Sequence, residues 1–272
     1  MRLKINLISS SNAGKAIIPI NYQYPLSAAI YKIIAQADAV YADFLHEQGY
    51  KKENSQKTFK LFTFSDINAT FQIKDDRMLM NTNEAYFTVC FHIPEAATNF
   101  VKGLFSNQQI DIADKKSKAT FTVSKVEILP LWNIPVAPDE VKEVFLKPIS
   151  PMVVGITNEK NNYDFIPPND DRFIPALIHH WKEKYRVVYG EEVAEEDFKN
   201  IEIAVLNVDK SKSRLLTIKA GTPEETKIRG FVGFQLRVQA KVQVLELMLN
   251  SGSGVYNSIG CGCLIAIKKG LM

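Results

Sequence analysis

Histidine and cysteine are scarce in this sequence, four of the one and three of the other in 272 residues, so few side chains are available for metal ligation or nucleophilic chemistry. Cys90, Cys261 and Cys263 are too few and too unevenly spaced to frame a disulfide scaffold, which points to a reducing compartment, the cytoplasm. No apolar run approaches the ~20 residues of a membrane span. The opening MRLKINLISS has no long apolar core and no cleavage-like site, so an unexported protein without a membrane partner is expected. Excess charge of one sign is also missing. With 33 basic residues against 30 acidic the formal charge is +3, which excludes a uniformly basic coating and requires any contact with a polyanion to be local. What is present is the material of a core: the chain is 46% hydrophobic and 23% charged, far from the disordered regime, and its length suggests two domains.

Hydrophobic periodicity orders the first half as strand, helix, strand, strand, helix, strand. Leu3, Ile5 and Leu7 alternate with Arg2, Lys4 and Asn6 over 2–10. Ser27 is the expected N-cap of a helix whose Ile30, Ile33, Ile34, Ala37 and Val40 share a face, and the helical pattern resumes through Phe44 and Leu45 to stop at Gly49. Strand-like runs follow at 59–67 and 84–93, a helix opens at Pro94, and 118–129 returns as a strand. That order is the ferredoxin-like, RRM-like βαββαβ unit. Prolines at 130, 135, 138, 148 and 151 argue against long regular elements and predict a linker over 130–150. The second half reads alike, with a strand at 151–157, a helix at 173–190 and a further helix holding Glu191, Glu192, Glu195, Glu196 and Asp197 in its first turns. Strands at 214–220 and 231–239, a helix at 242–250 and a strand at 263–269 complete it. The expected fold is α+β, with tandem ferredoxin-like domains over 1–129 and 151–272.

Near the end, the run from Ser251 to Cys263 sets Gly252, Gly254, Gly260 and Gly262 in the pattern G-x-G-x5-G-x-G. Glycine admits positive φ and close backbone approach, so the loop is expected to offer several amide N–H groups to an anion rather than to serve packing alone. It follows a helix and leads into a strand, the reverse of the dinucleotide and Walker phosphate loops, and no G-K-[ST] accompanies it. With its spacer VYNSI, the preceding FVGFQLRVQ and the segment DDRFIPALIHHWKEKY at 170–185, the chain resembles the CRISPR-associated endoribonucleases that cut repeat-containing precursor RNA. These belong to the RAMP superfamily of tandem ferredoxin-like RNA binders, and the likeness covers essentially the whole chain.

The resemblance implies a metal-independent reaction in which a ribose 2′-hydroxyl attacks its own phosphodiester, leaving a cyclic phosphate on one fragment and a 5′-hydroxyl on the other. Such chemistry needs a base, an acid and positive charge at the phosphate. The resemblance further implies His46 as the catalytic histidine, Tyr31 as the partner of the 2′-hydroxyl and Lys52 as the phosphate stabiliser, with acid and base unassigned between His46 and Tyr31. A straight helix would hold Tyr31 and His46 ~22 Å apart, so the helix must break, and the polar Gln36-Ala37-Asp38 is the expected bend. The plainer alternative makes His46 a surface residue near a helix C-terminus. His179 and His180 lie about 100° apart on a helix, which predicts one buried and one exposed, and leaves open a phosphate contact from His180 or Lys184. His92 fits a strand histidine with its polar groups satisfied. Cys261 and Cys263 are expected to pack. No ligand set with suitable spacing exists, so neither metal nor cofactor is expected.

From Lys210 to Lys241 eight basic residues, Lys210, Lys212, Arg214, Lys219, Lys227, Arg229, Arg237 and Lys241, stand against Glu224 and Glu225. Alternation along a hairpin over 214–239 would gather them into a strip that follows a phosphate backbone, and the resemblance implies that this hairpin enters the groove of a repeat stem. Tyr256 is placed to stack on a base. A second cluster, Lys115, Lys116, Lys118 and Lys125, reads equally as RNA contact or solvated face. The expected protein is an endoribonuclease that cuts within CRISPR repeats to release guide RNAs. A non-catalytic RNA-binding subunit of an effector complex is the alternative, and a regulatory module for small molecules a more distant one. Expected partners are repeat RNA, effector-complex subunits and a second copy of the chain.

Overall fold

Alternation at the start of the chain builds β1 (Arg2–Ser9), with Leu3, Ile5 and Leu7 all buried. The computed structural model of the protein describes residues 1–10, 16–52, 57–132, 135–160 and 162–268. After β2 (Ile17–Pro19) come α1 (Gln23–Ala37), α2 (Ala39–Asp43) and a π-helical turn, Phe44–Gln48. Next are β3 (Phe62–Phe64), β4 (Phe71–Lys74), β5 (Arg77–Met80), β6 (Glu84–Phe91), α3 (Pro94–Ser106), β7 (Gln109–Ala113) and β8 (Lys118–Ile128). The principal sheet runs β3-β6-β1-β8-β7, and its first four strands have the ferredoxin-like order, with β7 added at the edge. Strands β2, β5 and β4, which the periodicity did not separate, form a small sheet of their own. Helices α1 and α3 cover the principal sheet through Ile30, Ile33, Ile34, Ala97, Phe100 and Leu104, each buried. They cross closely because Gly103 has no side chain: a Cβ there would lie 1.8 Å from the Ile33 carbonyl oxygen.

The second half departs from expectation in the strands it uses. β9 (Val141–Pro148) lies inside the stretch assigned to a linker. The residues between Pro138 and Pro148 contain no proline, and Val144 and Leu146 turn inward while Pro148 closes the strand. β10 (Gly155–Thr157) and β11 (Tyr163–Phe165) form a minor hairpin before α4 (Phe173–Tyr189) and α5 (Glu191–Asp197). Then come β12 (Glu202–Leu206), β13 (Lys212–Ile218), β14 (Thr226–Val232), β15 (Gln235–Lys241), α6 (Val242–Ser251) and β16 (Leu264–Ile267). The four-stranded sheet β12-β15-β9-β16 repeats the ferredoxin-like order, so the chain holds two such units in tandem. The closing strand expected over 263–269 forms at Leu264–Ile267, and position 269 lies outside the described residues. The run expected as a strand over 231–239 is split at Gly233, whose φ of +90° turns the chain from the β13–β14 ribbon into the sheet. The helix expected to start at Ser27 begins at Gln23, leaving Ser27 buried inside it.

The two units share an interface sewn by polar groups. Arg2, 4% exposed, donates from its guanidinium to the carbonyls of Leu249 and Leu264 at 2.8 and 2.6 Å. Thr63 donates to the Cys261 carbonyl at 3.0 Å, and the Asp66 amide to that of Ile149 at 3.0 Å. Arg2→Met would fill the space but leave two buried carbonyls unpaired, so it should cost about 2–4 kcal/mol in urea unfolding; an unchanged midpoint would refute the bridging role.

Candidate active site

Asp38 breaks the first helix. Its backbone is extended (φ −154°, ψ 98°), its N–H donates to the Ile34 carbonyl, and its carboxylate accepts from the Tyr41 N–H at 2.9 Å. One residue thus ends α1 and caps α2. The bend falls where the polar interruption placed it. The π turn then widens the coil, and the Gly49 N–H closes it on the Phe44 carbonyl at 2.7 Å with φ of +64°. This course carries His46 back to Tyr31, their ring centroids 4.9 Å apart and their planes at 89°.

The His46 side chain is 61% exposed, and its Nδ1 lies 2.6 Å from Glu47 Oε1. A carboxylate accepts only, so in the neutral ring the proton sits on Nδ1 and Nε2 carries the open lone pair. Tyr31 is half-buried against Phe62, centroids 5.4 Å apart. Burial pushes its phenol up to about 12 while a hydrogen bond with Ser258 acts the other way, so the hydroxyl stays protonated at neutral pH. Ser27, one turn earlier on α1, donates to the Ser258 carbonyl at 2.7 Å. The phenol therefore joins the imidazole in one unit to the glycine-rich loop in the other.

Lys52 directs its amine to Glu191 at the start of α5, an exposed ion pair. Lys60, which the sequence reading passed over, instead donates to the His46 carbonyl at 2.6 Å.

The structure shows the glycines used for close approach. All four have φ between +72° and +84°. A Cβ on Gly262 would lie 1.8 Å from the Ser253 carbonyl oxygen, on Gly254 2.1 Å from that of Val153, and on Gly260 2.4 Å from the Phe64 ring. The amides of Ser253, Val255, Gly260, Gly262 and Cys263 all have acceptors within the protein, which corrects the expected supply of amides from these positions. Asn257 ties the loop together, its Nδ2 donating to the Ser253 and Cys261 carbonyls, while Lys184 donates to Asn257 Oδ1 and, at 2.6 Å, to the Gly252 carbonyl. Burial lowers the Lys184 amine to about 7, and the charge of Lys57 acts in the same sense.

Two adjoining hollows run along the outer side of this loop. One, of about 210 Å³, is lined by Lys57, Lys60, Lys184, Asn257 and Ser258; the other, of about 520 Å³, by Lys57, Thr157, Tyr163, His179 and Tyr256. Tyr256 is 37% exposed and meets Tyr163 edge to face, centroids 6.4 Å apart. His179 is exposed and His180 buried. His180 Nε2 bonds the Gly155 carbonyl at 2.9 Å, and its imidazole is pushed down to about 3, chiefly by burial. Cys261 and Cys263 are buried, Cys263 with its sulfur 3.9 Å from that of Cys90.

The basic residues expected to form one strip are distributed over several faces. Lys212 and Arg214 share the β13 face of buried Leu216, whereas Lys227 and Arg229 pair with Thr217 and Leu215 on the other face. Arg214 is held by Asp66, which also accepts from the Tyr22 hydroxyl at 2.9 Å. Arg237 belongs to β15 and lies 3.8 Å from Glu143, and Lys210 ends a short 3₁₀ turn. Lys116, Lys118 and Lys125 are paired with Asp76, Asp111 and Glu127. Among the described residues no group of three or more His, Cys, Asp or Glu side chains is placed to hold a metal ion.

Two family descriptions match the chain, "CRISPR-associated protein Cas6, N-terminal" over residues 17–127 and "CRISPR associated protein Cas6, C-terminal" over 135–265. The chain is similar to the CRISPR-associated endoribonuclease Cas6 1 of Methanocaldococcus jannaschii, 30% identical over 98% of this chain and 93% of that protein. It is also similar to the CRISPR-associated endoribonuclease Cas6 of Pyrococcus furiosus, 24% identical over 96% of this chain and 88% of that one. A solved Cas6-related protein from Pyrococcus furiosus matches 99% of each chain with a TM-score of 0.78 at 20% identity, a likeness of fold.

Gly262→Ala meets both a left-handed backbone and a clash with the Ser253 carbonyl. Thermal or urea unfolding should show a loss beyond the roughly 1–3 kcal/mol of backbone strain alone. A variant as stable as the wild type would contradict this account of the loop.

Proposed function

The chain belongs to the Cas6 family of CRISPR-associated proteins, and from that premise we propose that it cuts precursor RNA within each repeat without a metal, by attack of a ribose 2′-hydroxyl on the adjoining phosphodiester. It is a CRISPR-associated endoribonuclease. In the proposed reaction the 2′-oxygen bonds to phosphorus as the bond from phosphorus to the 5′-oxygen breaks. A protein group takes the 2′-hydroxyl proton and another returns a proton to the leaving oxygen, giving a 2′,3′-cyclic phosphate and a 5′-hydroxyl.

His46 is the proposed general acid or base, its open Nε2 being the nitrogen that exchanges the proton, and the protonated phenol of Tyr31 the partner of the 2′-hydroxyl. The observation that carries this reading is Tyr31, whose hydroxyl bonds Ser258 of the glycine-rich loop while its ring lies edge to face with the His46 imidazole, centroids 4.9 Å apart. Lys52 would reach the phosphate by leaving Glu191, an exposed ion pair that salt and RNA can both displace. The RNA would follow the hollows past Lys57 and Tyr256, with a base stacked on Tyr256. Lys210, Lys212, Lys227, Arg229 and Arg237 would offer cationic contacts from separate faces, and Arg214 would serve by holding the ribbon to Asp66. Gly252, Gly254, Gly260 and Gly262 would contribute to binding by letting the loop take this shape. The reading places the protein in the cytoplasm, where precursor RNA is made. Docking on effector subunits and pairing with a second copy are further expectations, read by co-elution and sedimentation.

Repeat RNA incubated with the protein in excess EDTA should still be cut, leaving a cyclic phosphate end. His46→Ala should slow single-turnover cleavage by about 10²–10⁴-fold while RNA remains bound. A strict magnesium requirement would overturn the mechanism. Bound RNA left uncut by the wild type would favour the non-cleaving alternative.

A further inference from the structure

Resting on the nuclease reading, we infer that Lys60 is a positioning residue that sets the His46 backbone, and with it the imidazole, against Tyr31. The last carbonyls of a helical segment lack partners within it. The one at His46, inside the π turn, is met by Lys60 Nζ at 2.6 Å. Lys60 reaches it across Gly49, where a Cβ would fall 2.9 Å from Lys60 Cδ and 3.1 Å from Nζ. A side chain at 49 would thus displace the amine as well as strain the backbone. The reciprocal bonds between Tyr50 and Phe59, 2.8 and 2.7 Å, fix the segment before Lys60 against the end of the turn.

The alternative role is direct charge on the phosphate through the donors that the His46 carbonyl leaves unused, and the His46 resonance separates the two. Burial lowers the proton affinity of Lys60 and the nearby Glu47 carboxylate restores part of it. Glu47 is also the group that bonds the His46 ring, so its charge acts on the lysine and the imidazole alike. Lys60 lines the smaller hollow with Asn257 and Ser258, so the restraint acts beside the loop that Tyr31 touches.

Two measurements test this. The Cε1–H proton resonance of His46, identified by its absence in His46→Ala, should carry a ring-current shift from the Tyr31 edge contact in the wild type. Lys60→Met should move it toward the unstructured position and Lys60→Arg should retain it; a resonance unmoved in Lys60→Met overturns the inference. In single-turnover cleavage with the RNA fully bound, Lys60→Met should lose about 10–100-fold in rate, the worth of one charge-assisted hydrogen bond, and Lys60→Arg should recover most of it. Added to His46→Ala, Lys60→Met should cost nothing more, whereas an undiminished further loss would show that Lys60 acts independently. Should the methionine variant fail to fold, Lys60→Gln, shorter and uncharged, carries the same expectations. A wild type that leaves the repeat uncut would defeat the nuclease reading alone, since the resonance still decides the role of Lys60.

Discussion

Everything at this site depends on how closely the backbone between Ser251 and Cys263 can approach its neighbours. At Gly254, Gly260 and Gly262 the space for a side chain is already filled by a carbonyl or an aromatic ring of the surrounding fold. That closeness lets the Cys261 carbonyl meet Thr63 and the Ser258 carbonyl meet Ser27, both from the first unit. Were the loop to stand farther off, the Tyr31 hydroxyl would lose Ser258, and the hollows beside it would open into solvent.

The second requirement is a change of direction within a nominally continuous helix. A regular coil from residue 23 to residue 48 would point His46 away from the rest of the site. Asp38 supplies the interruption at little cost, since its backbone keeps bonds to Ile34 and Ala42 and its carboxylate gives the Tyr41 N–H the acceptor that the broken helix no longer provides. The five-residue π turn then ends on a glycine, so that the chain can reverse toward Phe59. The contact between His46 and Tyr31 thus rests on two irregularities of helix geometry, both written in short polar or side-chain-less residues.

Much of this was legible in the sequence, and the failures have identifiable causes. β1 declared itself by alternation, β3, β6 and β8 by strand-like runs and the bend by a polar interruption in an apolar stripe, whereas the short β2, β4, β5 and β7 left no such signal. The resemblance implied Tyr31 and His46, which the fold brings into contact. The strand at Val141–Pro148 was hidden because proline density was averaged over the whole stretch, although its first seven residues contain none. The basic ribbon misled because charge counted along a sequence ignores which face each residue takes, and Gly233, the visible sign of a break, was passed over. The sequence alone offered no way to pair Lys52 with Glu191, Lys184 with Asn257 or Lys60 with His46, since those contacts depend on how distant segments pack. The glycines stand out by their backbone freedom, which the fold uses for close approach to neighbouring carbonyls and a ring.

The two sheets share a strand order, yet their equivalent parts have diverged. On α4, the counterpart of α1, the polar residues under the loop are His180 and Lys184, both buried and spent on internal bonds. In the first unit, the connection that corresponds to the glycine-rich loop contains no glycine from Asn107 to Ser117 and forms an edge strand instead. Architectural twinning therefore stops at the sheets: an exposed imidazole beside a phenol stands in one half and a glycine-bent loop in the other, so among the described residues neither feature has an internal duplicate at the equivalent position.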